Sequence, residues 1–241
     1  WGLGEASVMA FKAGVDIILF GPWINIRPDD RQEIFKALTA AVEKGEITRE
    51  RLDQAVGRIL TAKLKYKILD DPFPRFADLT DLASAQNRET AWRIARESIT
   101  LVRDRDDLIP LSPRGAIPLI WPAELEDSLA PLMEECPFLQ PHLLSLGASP
   151  AESNGLYEWL RSSPLVMAGT SNLREHPAWA GLINGLAEQG AVAVLALASP
   201  YDLLAVPGIG TYLCTYSNSS ESLQALGQVL NGSLVPKGRL P

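Results

Sequence analysis

Apolar residues in this chain alternate between a helical and a strand period, and the changes of period outline its elements. Glu5 to Ala13 keeps helical spacing and is closed by Gly14, a residue that readily ends a helix. Val15-Asp16-Ile17-Ile18-Leu19-Phe20 follows as a nearly continuous apolar run between Gly14 and Gly21-Pro22. Such runs mark strands buried on both faces, as in parallel sheets covered by helices, so a buried strand is expected there. Asp29 and Asp30 then open a helix with Ile34, Phe35, Leu38, Ala41 and Val42 at helical spacing, ended by Gly45. Thr48 is placed to cap a further helix striped by Leu52, Val56, Ile59, Leu60 and Leu64. One buried strand among helices cannot form a domain, because its faces and edges need neighbouring strands. Residues 1–75 therefore read as the last βα units of a barrel whose earlier strands lie elsewhere, or as an added edge on a sheet formed further along.

Asp70-Asp71-Pro72-Phe73-Pro74-Arg75-Phe76 breaks any helix and fits a domain boundary. Beyond it, a helix is expected near Asn87 to Glu97, with Ala91, Ile94 and Ala95 inward. Strand-like runs then recur at Ile99–Val102, Ile117–Trp121, Leu165–Ala168, Val192–Ala198 and Thr211–Tyr216. Helical runs fall between or after them: Asn154 to Leu160, Pro177 to Glu188 and Glu221 to Asn231. Strands separated by helices of this length predict a parallel α/β sandwich with right-handed crossovers over residues 76–241.

Composition narrows the partners. Of 241 residues, 46% are hydrophobic and 21% charged, which is enough apolar material for a core without metal or disulfide support. A net charge of −7 disfavours nucleic acid and anionic membrane surfaces, which reward basic patches. Cys136 and Cys214 share no ligand or disulfide-framework spacing and read as free thiols. No apolar stretch approaches the about 18 residues of a membrane span. The first residues, Trp1-Gly2-Leu3-Gly4-Glu5, are neither a signal peptide nor an initiating methionine and read as a cut inside something larger. The compartment is left open between the cytoplasm and export from a bacterium.

Several segments, taken in order, resemble the family 3 glycoside hydrolases. Ala13-Gly14-Val15-Asp16-Ile17-Ile18-Leu19, preceded by Gly4-Glu5-Ala6-Ser7-Val8, is similar to a late barrel signature of that family. Ala41-Val42-Glu43-Lys44-Gly45-Glu46-Ile47, then Arg51-Leu52-Asp53 and Arg58-Ile59-Leu60-x-x-Lys63, resemble the helices that close the barrel. Ala95-Arg96-Glu97-Ser98-Ile99-Thr100-Leu101-Val102-Arg103-Asp104, with Leu108-Ile109-Pro110-Leu111, is similar to the entry into the second domain. Gly169-Thr170-Ser171-Asn172, Ser199-Pro200-Tyr201-Asp202-Leu203 and Pro236-x-Gly238-Arg239-Leu240-Pro241 resemble later landmarks of that domain. The Ser-Pro-Tyr-Asp segment and the barrel end point to the β-N-acetylhexosaminidase subgroup. The resemblance implies an α/β protein: the remnant of the end of a (β/α)8 barrel, followed by a flavodoxin-like parallel α/β sandwich.

The same resemblance implies where the chemistry is. A retaining glycosidase uses a nucleophile and an acid/base flanking the glycosidic bond, commonly two carboxyl groups about 5–5.5 Å apart. In the family the nucleophile is an aspartate just upstream of the segment where this chain begins. In the hexosaminidase subgroup the acid/base is a histidine on an earlier loop rich in glycine and histidine. Neither motif is present, so no catalytic residue is assigned. Asp16 lies at the amino end of its run, away from a barrel's active face, and is expected to be structural. Trp23, at the carboxy end, is a candidate for lining the sugar site of the parent enzyme.

His142 and His176 lack the fixed partner that a catalytic base needs. Ser171, Asn172, Tyr201 and Asp202 follow predicted strands, at the sheet edge where open α/β folds bind ligands. They are the candidates for a ligand site, weighed against a structural turn and helix cap. Gly208-x-Gly210 precedes a strand and lacks the third glycine of a dinucleotide loop. No cofactor and no metal site are expected.

The resulting expectation is a non-catalytic carboxy-terminal portion of a retaining glycoside hydrolase. Its parent would remove terminal β-linked N-acetylglucosamine from peptidoglycan- or chitin-type oligosaccharides. Its partner would be the catalytic barrel of the same protein, and carbohydrate would be met only through that parent. The alternative is a small-ligand or protein-interaction module of flavodoxin-like fold.

Overall fold

The computed structural model describes residues 1–19, 28–73, 82, 84–105, 107–147, 160 and 163–240. They fall in two compact units, Trp1–Thr80 and Asp81–Pro241.

The first unit is helical. Helix α1 (Leu3–Lys12) turns at Gly14, whose φ of +112° only glycine adopts readily. Helix α2 (Pro28–Glu43) stops before Gly45, and Thr48 caps α3 (Arg49–Lys65) by accepting from the Arg51 amide at 3.2 Å. Phe11, Ala41, Ile47 and Ala55 form a small core with Val8, Leu38, Val42 and Leu52 around it. The strand expected at Val15–Phe20 does not form: Val15 to Leu19 lie outside any sheet, and Phe20 is outside the described residues. A strand needs a neighbour for its amides, and this unit has no strand among the described residues. Ile17 and Leu19 are exposed as a result, and so are Phe35, Val56, Leu60 and Leu64, although helical spacing places them on apolar stripes.

The second unit is built on one six-stranded sheet in the order β1-β6-β5-β4-β2-β3. The strands are β1 (Thr100–Asp104), β2 (Ile117–Pro122), β3 (Leu139–Leu144), β4 (Leu165–Thr170), β5 (Ala191–Ala196) and β6 (Thr211–Cys214). The α/β class stands, and the sheet is mixed: β2 to β6 are parallel, while β1 runs antiparallel to β6 at one edge. Strand β3 was not anticipated. Its sequence, Leu-Gln-Pro-His-Leu-Leu, carries a proline tolerated only where one side of the strand lacks a partner, and β3 is the other edge.

Central strands bury both faces, which is why they read as unbroken apolar runs. In β5, Ala193 and Leu195 face one core, with Trp121, Leu132, Leu226 and Val229. Val192, Val194 and Ala196 face the other, with Trp179, Ile183 and Leu186. The first core is covered by α4 (Ala85–Ser98), α5 (Ala130–Glu135) and α7 (Ser220–Leu230), the second by α6 (Pro177–Ala187). Of the three α4 residues expected inward, Ala95 alone is buried. The helix expected at Asn154 to Leu160 lies outside the described residues except for Leu160, which is buried. Cys136 and Cys214 are buried free thiols.

Two glycines are required by close packing. A methyl group on Gly169 of β4 would sit 2.6 Å from Cε3 of Trp121 on β2. Gly238 donates its amide to the Ile99 carbonyl at 2.9 Å, and a side chain there would collide with Thr100 and the carbonyls of Ser98 and Ile99. The late glycine of the Pro-x-Gly-Arg-Leu-Pro segment is thus what lets the tail lie against the start of β1.

Candidate functional site

The carboxy-terminal ends of β4 and β5 meet at Asp202. After β4, Asn172 adopts a left-handed conformation (φ 53°), Leu173–Glu175 makes a 3-10 turn, and His176 stands at the amino-terminal cap of α6. After β5, Ser199 accepts from the Tyr201 amide at 3.3 Å and starts a 3-10 turn over Pro200–Leu204. Asp202 is 4% exposed. One of its oxygens accepts from the Thr170 hydroxyl and the other from the Leu173 amide, both at 2.8 Å. The carboxylate therefore ties the two loops together. Burial raises its pKa, and the bonds from Thr170 and Leu173 and the nearby His176 only partly offset this.

The turn is also held from below. The Tyr212 hydroxyl donates to the Pro200 carbonyl at 3.2 Å, and Asn184 Nδ2 donates to the Ala205 carbonyl at 3.0 Å. Tyr201, next to the fixed Asp202, is 75% exposed, and Leu204 is 79% exposed. Asn172, Arg174, Glu175, Tyr201, Asp202 and Leu204 surround a concavity of about 680 Å³.

The structure thus brings Asn172, Tyr201 and Asp202 together. Ser171 is half-buried beside them but is not part of the concavity's wall. Arg174, Glu175 and Leu204 were not anticipated: nothing in Leu-Arg-Glu or in Leu204 signals a site until the two loops are seen side by side. Glu124, after β2, was also missed. It accepts from the Ser145 hydroxyl at 2.7 Å and from the Leu146 amide at 3.1 Å. The Ser145 bond chiefly holds its carboxyl below the usual value.

The other sequence candidates are placed as follows. Asp16 accepts from Arg51 at 2.8 Å and from Arg58 at 3.2 Å. Desolvation opposes its ionisation, but the two guanidinium groups together outweigh it and lower its pKa. Arg51 also donates to the carbonyls of Phe11 and Val15 and stacks 4.5 Å from the Phe11 ring centroid, so Asp16 belongs to a structural clamp. Trp23 lies outside the described residues. His142 lies on β3, in register with Ile120 of β2.

Burial pushes the thiols of Cys136 and Cys214 up to about 12, which leaves them protonated and poor nucleophiles at neutral pH. Among the described residues no group of three His, Cys, Asp or Glu could hold a metal ion, and no helix is long and apolar enough to cross a membrane. What this edge offers is an exposed aromatic ring and polar side chains on a fixed support. Its best-buried carboxylate already has both oxygens engaged.

No protein-family model matches the chain. The lysosomal beta glucosidase of Dictyostelium discoideum is 24% identical over 291 residues, covering 98% of this chain and 34% of that protein. A beta-N-acetylglucosaminidase/beta-glucosidase of Cellulomonas fimi is 30% identical over 129 residues, covering 53% of this chain and 22% of that protein. Among solved structures, a glycoside hydrolase family 3 beta-N-acetylglucosaminidase from Paenibacillus sp. matches all of this chain. The match has a TM-score of 0.65 at 26% identity and covers 48% of that structure. The chain spans about a third or less of the length of the curated relatives it matches.

Proposed function

We propose that the chain is the non-catalytic carboxy-terminal portion of a retaining family 3 glycoside hydrolase. That enzyme removes terminal β-linked N-acetylglucosamine from peptidoglycan- or chitin-type oligosaccharides. The observation that carries this reading is the match of the whole chain to the Paenibacillus N-acetylglucosaminidase, supported by the Cellulomonas relative, whose name includes that activity. The carboxylates favour a non-catalytic role: Asp16, Glu124 and Asp202 are each engaged by donors within the fold, where a catalytic carboxylate must face its substrate. The partner is the catalytic barrel of the same protein, against which this portion packs.

The test uses p-nitrophenyl glycosides. The 241-residue chain should give no release from the N-acetyl-β-glucosaminide above the blank. The longer polypeptide that carries it should hydrolyse that substrate in preference to the β-glucoside and β-xyloside. Turnover by the chain alone would overturn the non-catalytic role, and a preference for glucoside or xyloside would overturn the substrate.

A further inference from the structure

We propose that Asn231 is a self-modification site: it loses its side-chain amide to the backbone of Gly232, and the acid that results unfastens α5 from α7.

The contact at stake joins the ends of the two helices. Gln224, Gln228 and Asn231 follow one another along one face of α7 and its carboxy-terminal cap, and all three donate to the Glu135 carboxylate at the end of α5. Gln224 and Gln228 reach Oε1 at 3.0 and 3.2 Å. Asn231 Nδ2 reaches Oε2 at 3.2 Å and the Glu135 carbonyl at 3.1 Å. Gly227 makes room for this, since a methyl group there would sit 2.5 Å from Cβ of Glu135. The oxygen of the Asn231 amide is held as well: Oδ1 accepts from the Ser233 amide at 3.0 Å and from the Ser233 hydroxyl at 2.7 Å. Nδ2 therefore faces Glu135, and an oxygen in its place would face two other oxygens.

An asparagine before a glycine is labile because no side chain hinders the approach of the glycine amide nitrogen. That nitrogen gives up its proton and bonds to Cγ of Asn231. The Cγ–Nδ2 bond breaks, and Nδ2 leaves with the proton as ammonia. Water then opens the imide ring at either carbonyl, which leaves aspartate or isoaspartate. No reactant other than water is required.

The sequence holds three Asn-Gly pairs, and the fold treats them differently. Asn184-Gly185 lies inside α6, with Asn184 half-buried and tied to the Ala205 carbonyl. Asn154-Gly155 lies outside the described residues. Asn231-Gly232 is exposed and sits where α7 ends, with Asn231 as the cap and Gly232 at a φ of +83°. Asn231 has a ψ of −2°, so the Gly232 amide points back along the helix and donates to the Val229 carbonyl at 3.2 Å. Ring closure therefore waits on fraying of this last turn, which costs far less than opening the interior of a helix. Once the acid has formed, two carboxylates meet where a donor met an acceptor, and the turn no longer closes on Glu135.

The experiment ages the 241-residue chain for weeks in mildly alkaline buffer, with and without denaturing urea, and follows each Asn-Gly peptide by mass spectrometry. In the folded chain Asn231 should convert at least about tenfold faster than Asn184, and the two rates should converge in urea. Asn231→Asp should lower the thermal midpoint by about 2–4 °C, and adding Glu135→Gln to it should recover most of that loss. No conversion of Asn231, or equal rates for Asn231 and Asn184 in the folded chain, would overturn the modification. An unchanged midpoint in Asn231→Asp, or a loss that Glu135→Gln leaves in place, would overturn its effect on the α5–α7 contact. Neither readout uses glycoside turnover, so the hydrolase reading stands or falls separately.

Discussion

Val15–Leu19 and Ala191–Ala196 are both apolar runs that begin directly after a glycine, yet the first is largely exposed and the second is almost wholly buried. Ala191–Ala196 has β4 on one side and β6 on the other, so its amides are paired and each face meets a layer of helices. Burying a large aliphatic side chain contributes roughly 1.5–3 kcal/mol, but only when the backbone beneath it is also satisfied. Val15–Leu19 has no strand beside it among the described residues. The Val15 carbonyl and the Asp16 carboxylate are held by Arg51 instead. An apolar run therefore states a demand for a sheet, and the neighbouring strands decide whether the demand is met.

The sharpest way to break this comparison is to place a carboxylate in each run. Val194→Asp puts a charge between the sheet and α6 at a fully buried position and should cost about 4 kcal/mol or more, seen as insoluble expression or loss of cooperative unfolding. Ile17→Asp, at a position 58% exposed, should change stability by no more than about 0.5 kcal/mol. Equal losses from the two would show that Val15–Leu19 is buried in solution.

A smaller effect is expected where two central strands touch. Gly169→Ala forces a methyl group against Trp121 and should lower the denaturation free energy by about 1–3 kcal/mol, measured by urea titration. Gly57→Ala, in the middle of α3 of the first unit with open space around it, should be neutral or slightly stabilising.

The smallest effects are electrostatic and have opposite signs in the two units. The pKa of Asp16 is lowered by folding, so its contribution is present above the unfolded value and is lost as pH falls through the folded one. That of Asp202 is raised, so stability declines as pH rises from the unfolded value through the folded one. A carbon-13 titration of the aspartate carboxyls should place Asp16 below the ordinary aspartate value of 3.8 and Asp202 above it. The reverse order would refute both assignments.

The central sheet was legible because burial on both faces leaves a plain mark: Val192, Val194 and Ala196 serve one core while Ala193 and Leu195 serve the other. Edges are written less clearly. Pro141 and His142 conceal β3, and the short β1 carries no mark of its antiparallel direction, which only β6 can set. For the candidate site, the place was legible from Tyr201 and Asp202 following a predicted strand. The division of labour between them was not, because it depends on a hydroxyl and an amide from the neighbouring loop, Thr170 and Leu173. Arg174 and Glu175 had no period or motif to announce them.

The pairing of β1 with β6 has a consequence for how this unit comes into being. β1 is the first strand of the sheet to be translated, and its neighbour in the sheet, β6, is the last. The earliest strand must therefore wait through the synthesis of the whole interval before its amides find their acceptors. Closing so distant a contact is slow, so the first strand made is the last that can take its place in the sheet.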